Sequence, residues 1–259
     1  MSHITAAQYA ALHKPLSVPT PTGKPVIPTE HGSFAIWSTP RPGAATASDN
    51  IRDFTIFPKD TAATDPLILN GIAPRNDLVL LGVNPSEPGL GMTVRPFWAF
   101  HQTGNDARLR TAFATDLADL AGCWITDIVK GVFQSVAKDT AVREQMTNDS
   151  NHPDPGKRNL FDQNIAVLAA ELALLGCRDP LLVILGTGYD SFTPGIDLAA
   201  HRGVLVDAPR LPALQKAIGD YSLTYAHHYS WQTTSQAFHD QFVPAVRSAW
   251  DAHNRKDHP

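Results

Sequence analysis

Four short apolar runs punctuate the second half to two-thirds of the chain, and each ends in turn chemistry. Leu78 to Val83 is almost continuously apolar and is followed by Asn84-Pro85, with Gly89 and Gly91 close behind. A run that short, with no polar face, predicts a strand buried on both sides. Cys123 to Val129, Leu181 to Leu185 and Leu223 to Ala226 repeat the pattern. Between them lie segments of helical period. Leu109, Phe113, Leu117 and Leu120 share one face of a helix that begins after Gly104-Asn105. Phe161, Ile165, Leu168, Leu172 and Leu175 do the same for a helix over 157–175, with Gly176 as its stop. Pro212 to Ile218 predicts a short helix, proline near its start and Gly219 after it. Thr233 and Gln236 have capping-box spacing for a last helix to about Ala252, in which Pro244 should kink or split the ladder.

Alternating buried strands and helices predict an α/β fold: three layers, α/β/α, around a central four-stranded, mostly parallel sheet. Right-handed crossovers would bring the strand ends to one edge, where open α/β sheets bind ligands. Asn84, the Asp127 region, Gly186 and His228 would gather there. Residues 77–259 form this domain. Residues 1–76 read as a proline-rich arm with a short helix near Ile4 to His13 and irregular wrapping from Lys14 to Gly43. Phe34, Ile36, Trp37, Ile51, Phe54, Ile56 and Phe57 suggest that the arm packs on the domain.

Charge and composition narrow the chemistry. A formal net charge of −4 gives no bulk attraction to nucleic acid or anionic membrane. It leaves room for a local basic rim, for which Arg95, Lys130, Lys138 and Arg202 are the candidates. No run reaches the ~18 apolar residues of a membrane span, and the start lacks a basic-then-apolar leader pattern. The expectation is therefore a cytoplasmic protein with no membrane association. Cys123 and Cys177 are too few for a disulfide framework and read as reduced core residues. Eleven histidines invite a metal, but His227 and His228 are adjacent in an extended segment and point to opposite faces. Neither a His-Glu-x-x-His spacing, a dinucleotide fingerprint, a phosphate loop nor a Gly-x-Ser-x-Gly elbow is present. No metal or cofactor is expected.

A strand running into Gly82-Val83-Asn84-Pro85-Ser86, with a last strand running into His228-Tyr229-Ser230, resembles the uracil-DNA glycosylase superfamily. The resemblance covers Asp77 to about Trp250. It implies a DNA glycosylase that flips a deaminated or mismatched base, uracil or a relative, out of single-stranded or mismatched DNA and hydrolyses its N-glycosidic bond. Asn84 would position the attacking water or stabilise the cationic sugar. His228 would donate to the base oxygen as it becomes anionic. An aromatic near Phe97, with Trp98 and Phe100 as neighbours, would stack on the base in a pocket lined by Gly82 and Val83. Ser86 and Ser230 would take the flanking phosphates, and Trp231 or Gln232 would wedge into the vacated stack. The protein would act as a monomer.

Three departures bear on substrate. Ser86 and Glu87 follow Asn84-Pro85 where a small residue is usual, and Glu87 would repel phosphate. Tyr229 stands where proline is common. Asp127 stands where the family commonly has an asparagine that reads the uracil edge. An ionised aspartate only accepts hydrogen bonds. Asp127 would then be protonated, or select a base presenting donors, or point elsewhere. The competing reading is a glycosylase-fold protein that binds a nucleobase, nucleotide or nucleic acid without cleaving it.

Overall fold

The structure is a computed structural model that describes residues 3–37, 68, 71–82, 96–97, 99–101, 106–130, 159–185, 211–229 and 233–256. All four apolar runs form strands: β2 (Leu78–Gly82), β3 (Trp124–Asp127), β4 (Leu181–Leu185) and β5 (Ser222–Ala226). They follow β1 (Gly32–Phe34), which the apolar pattern does not mark. The sheet is ordered β1-β3-β2-β4-β5. The pairs β3–β2, β2–β4 and β4–β5 are parallel. Strand β1 runs antiparallel to β3, pairing Gly32 with Thr126 and Phe34 with Trp124. Among the described residues the fold is therefore α/β with a five-stranded mixed sheet, one strand more than expected.

That fifth strand comes from the proline-rich arm and corrects its reading as irregular wrapping. It follows a single helical turn, α2 (Pro28–His31), opened by its proline. A Cβ at Gly32 would lie 2.3 Å from Trp124 Cζ2, so the close approach of β1 to the β3 tryptophan needs glycine there. The arm also supplies α1 (Ala6–Leu12), capped by a Thr5–Gln8 capping box. Gln8 Nε2 reaches on to donate to the Leu175 carbonyl, and Asn76 Nδ2 donates to the same oxygen.

Among the described residues, the other α-helices are α3 (Asp106–Ala114), α4 (Asn159–Leu174), α5 (Pro212–Ile218) and α6 (Ser235–Lys256). The Thr233–Gln236 capping box is corrected by one position. The Ala237 N–H donates to Thr234 Oγ1 at 3.1 Å, while the Gln236 amide donates to Asp240. Pro244 does not split α6. It lies on the exposed side, as does Asp240, whose carbonyl loses its helical donor, so water can satisfy that carbonyl.

Strand pleating sorts the core into two clusters. Val79, Leu81, Trp124, Leu182 and Ile184 pack with residues of α1, α4 and α5, among them Leu12, Leu168, Leu172, Leu214 and Ile218. Leu78, Leu80, Ile125, Leu181, Val183 and Leu185 pack with residues of α3 and α6, among them Leu109, Phe113, Phe238, Phe242 and Val246. Alternation of neighbours within β2 and β4 places the clusters on opposite faces of the sheet. Cys123 and Cys177 are buried free thiols, one in each cluster. Burial pushes both thiol pKa values up, which suits packing and not nucleophilic work.

Candidate functional site

Strands β2 and β3 end side by side, with Gly82 and Asp127 as partners across the ladder. The Ile128 N–H donates to the Gly82 carbonyl at 2.9 Å, which carries the pairing one residue further. Asp127 shares its side of β3 with Ile125, so its carboxyl belongs to the face that α3 and α6 cover. It lies across the Cα of Gly82: a Cβ there would sit 2.2 Å from Asp127 Oδ1. Glycine at position 82 thus leaves the space that the carboxyl occupies. The same Cβ would be 3.8 Å from Phe100 Cε1, an ordinary contact. The Phe100 ring in turn meets Tyr229 edge to face, centroids 6.1 Å apart. The His228 ring stacks on Tyr229 at 4.2 Å.

Asp106 joins this group from the first turn of α3, and both it and Asp127 are buried. Burial drives the Tyr229 hydroxyl well above its ordinary pKa, and the charges of Asp106 and Asp127 add to the shift. Tyr229 therefore keeps its proton and offers an O–H donor within electrostatic reach of two carboxyl groups. The assembly combines two carboxyl groups, the neutral Tyr229 hydroxyl, the His228 imidazole and the Phe100 ring at the carboxyl end of the parallel strands.

Behind the sheet, the other side of β3 leads to a different arrangement. Lys130 Nζ is 2.9 Å from Glu171 Oε2, and neither side chain has any exposure. The ammonium also donates to Thr126 Oγ1 and to the Asp127 carbonyl. Trp124 Nε1 donates to the other Glu171 oxygen at 2.6 Å, and the Lys130 N–H donates to Asn164 Oδ1 at 3.1 Å. This corrects the expectation that Lys130 rims a cleft. Its charge is spent inside the protein, because a buried ammonium is tolerated only when paired and hydrogen-bonded. Nearby His31 is held neutral: burial, then the Lys130 charge, pushes its pKa down to about 3.

Of the residues singled out from sequence, Gly82, Asp127 and His228 belong to the group around Tyr229. Phe97 does not. Its ring is fully buried in the cluster on the opposite face, with Tyr9 at 5.3 Å, Phe34 at 5.7 Å and Trp124 at 6.2 Å. Phe100, its near alternative, is the aromatic on the Asp127 side. Val83, Asn84, Ser86, Ser230, Trp231 and Gln232 lie outside the described residues, as do Arg95, Lys138 and Arg202. Two participants escaped the sequence reading. Asp106 was marked by no motif or period, and Tyr229 stood out only as a departure from proline.

Fold and site together define an α/β protein whose polar side chains converge at the end of a mixed sheet. No family model, curated protein or solved structure matches the chain. Among the described residues, no group of three or more His, Cys, Asp or Glu side chains could hold a metal ion. No described helix is long and apolar enough to cross a membrane.

Proposed function

We propose that the protein is a DNA glycosylase that extrudes a deaminated or mismatched base and hydrolyses its bond to the sugar. One observation supports this reading above the others. Gly82, Asp127, Phe100, His228 and Tyr229 meet at the end of β2, the strand whose sequence runs directly into Asn84. Cleavage of a base–sugar bond develops positive charge on the sugar and negative charge on the base, so rate comes from dipoles set where those charges appear. In this reading Asn84 serves the sugar and its attacking water, and His228 donates to the base oxygen. Phe100, in place of Phe97, offers its ring to the base in a pocket that includes Gly82 and Val83. Ser86 and Ser230 hold the flanking phosphates of single-stranded or mismatched DNA, and Trp231 or Gln232 fills the gap in the stack.

Asp127 sets the substrate in this reading. Facing a uracil carbonyl, a carboxylate would set acceptor against acceptor in a desolvated pocket. Uracil is then a poor substrate, and a base that presents a donor at that edge is preferred. The test is to incubate the protein with oligonucleotides carrying uracil, hypoxanthine, xanthine or mismatched thymine and to assay abasic sites. Cleavage of at least one base is expected, with Asn84→Ala and His228→Ala each lowering it by about a hundredfold or more. The buried carboxyl groups of Asp106 and Asp127 favour a second reading, in which the site binds a nucleobase or nucleotide without cleaving it. Inactivity of the parent protein on every base, with retained binding of a free base or nucleotide, would establish that one instead.

A further inference from the structure

Arg108 occupies an unusual place relative to the second motif. It projects from the first turn of α3, yet spends its guanidinium on main-chain carbonyls far along the chain. Nη1 donates to the Tyr229 carbonyl at 3.0 Å, and Nη2 donates to the Thr233 carbonyl at 2.5 Å. The same group lies 6.0 Å from the centroid of the Phe238 ring in α6. One planar fork thus holds the backbone on both sides of residues 230–232. A guanidinium suits this task because its donors diverge in a fixed plane, whereas an ammonium is a point charge on a flexible stem. Hydrogen bonds from charged donors are also the stronger kind.

The position held is the one from which His228 works. The His228 ring stacks on the ring of Tyr229, whose carbonyl Arg108 grips. Tyr229 also packs against Phe100, beside Gly82 and Asp127. Moving the Tyr229 backbone would move the imidazole and the aromatic contact together. We infer that Arg108 is a positioning residue, which fixes the backbone of the His228-Tyr229 segment so that the imidazole meets the base in one geometry. Its consequence for catalysis rests on the glycosylase reading, whereas its effect on the backbone does not. Asp106, two residues earlier in the same turn, acts on the Tyr229 hydroxyl, so the start of α3 addresses the segment twice.

The test uses the full chain with Arg108→Ala and Arg108→Lys, the latter keeping the charge and stem should the alanine variant fold poorly. Hydrogen–deuterium exchange reads the backbone directly. Peptides covering 227–234 should exchange faster by on the order of tenfold in Arg108→Ala and by less in Arg108→Lys, with β2 and β4 peptides unchanged. No change at 227–234, or an equal rise across the whole protein, would overturn the inference. On whichever oligonucleotide the parent cleaves, kcat should fall about tenfold or more while KM stays within about twofold. Millimolar guanidinium should restore part of the loss in Arg108→Ala. A rise in KM with kcat unchanged would instead make Arg108 a DNA contact and overturn the assignment. If the parent cleaves nothing, the glycosylase reading fails while the exchange comparison still decides whether Arg108 holds the segment.

Discussion

The two faces of β3 treat charge in opposite ways. On one face, Trp124 and Thr126 lead to a lysine and a glutamate that neutralise each other with no exposure at all. On the other, Ile125 gives way to Asp127, whose carboxyl lies over Gly82 and, with Asp106, weighs on a protonated tyrosine. A buried pair that satisfies itself is a structural device. Its members have no donor or charge left to offer a ligand. Carboxyl groups gathered with rings at the end of parallel strands, where ligands bind in such sheets, are suited to recognition. The pleat makes the division: residues 126 and 127 are neighbours in sequence and sit on opposite sides of the sheet. The faces are still coupled, since Lys130 donates to the carbonyl of the very residue whose carboxyl serves the other side.

The sharpest way to break this contrast is to unbalance the internal pair. Lys130→Met leaves Glu171 charged and buried and should cost about 3–5 kcal/mol of stability, read by urea or thermal unfolding. Lys130→Met with Glu171→Gln should recover most of that loss, because glutamine can still accept from Trp124 and carries no charge. Equal instability of the single and double variants would show that packing, and not the uncompensated charge, is at stake.

A smaller effect is expected at the other face. Gly82→Ala places a methyl 2.2 Å from Asp127 Oδ1, so the carboxyl must move, at a cost of about 1–3 kcal/mol. In an Asp127→Ala background the same change should be nearly free, since the next contact, Phe100, stands at 3.8 Å. Additive costs would mean that the carboxyl does not occupy that space.

The effect that is smallest per pH unit is a pH dependence with one histidine on each side of the contrast. His31 lies beside the Lys130 network, and His101 lies against Trp37, which packs on the second cluster. Burial pushes both down to about 3. Unfolded histidine titrates near ~6.5. Between those values the unfolded chain binds a proton that the folded chain does not. Stability is therefore full above that upper value and falls as pH drops through the window. Each histidine contributes up to about 1.4 kcal/mol per pH unit. His101→Gln keeps a hydrogen-bonding amide within reach of Ser33 Oγ, 2.6 Å from His101 Nε2, and should flatten the acid limb by one histidine's share. An acid limb unchanged in slope would show that His101 titrates normally.

The strands were legible because burial on both faces leaves an apolar signature, and β4 has the very bounds that its run suggests. The helix period before Gly176 was legible for the same reason, whereas the period through Leu109, Phe113, Leu117 and Leu120 overran its helix: α3 ends at Ala114, and Leu120 closes a separate 3-10 turn, Ala118–Leu120. Strand β1 was not, because three residues including a glycine carry no period, and its reason to exist is Trp124, distant in sequence. Phe97 and Phe100 could not be told apart by spacing. Both have positive φ, 60° and 63°, so the chain turns between them and any periodicity fails. Lys130 was misjudged because a charge in a sequence carries no sign of a buried partner on another element. Arg108 left no trace either, since its partners are backbone carbonyls, which every residue has.

Asp127→Asn tests most directly the claim that the Asp127 side of β3 reads a base. Uracil excision from a single-stranded oligonucleotide would be followed against pH for the parent protein and the variant. The expected result is weak parent activity that improves as acid protonates the carboxyl, and a gain of about tenfold or more in the variant, whose amide supplies a donor at neutral pH. No gain in the variant, together with a parent that does not improve as pH is lowered, would contradict the account.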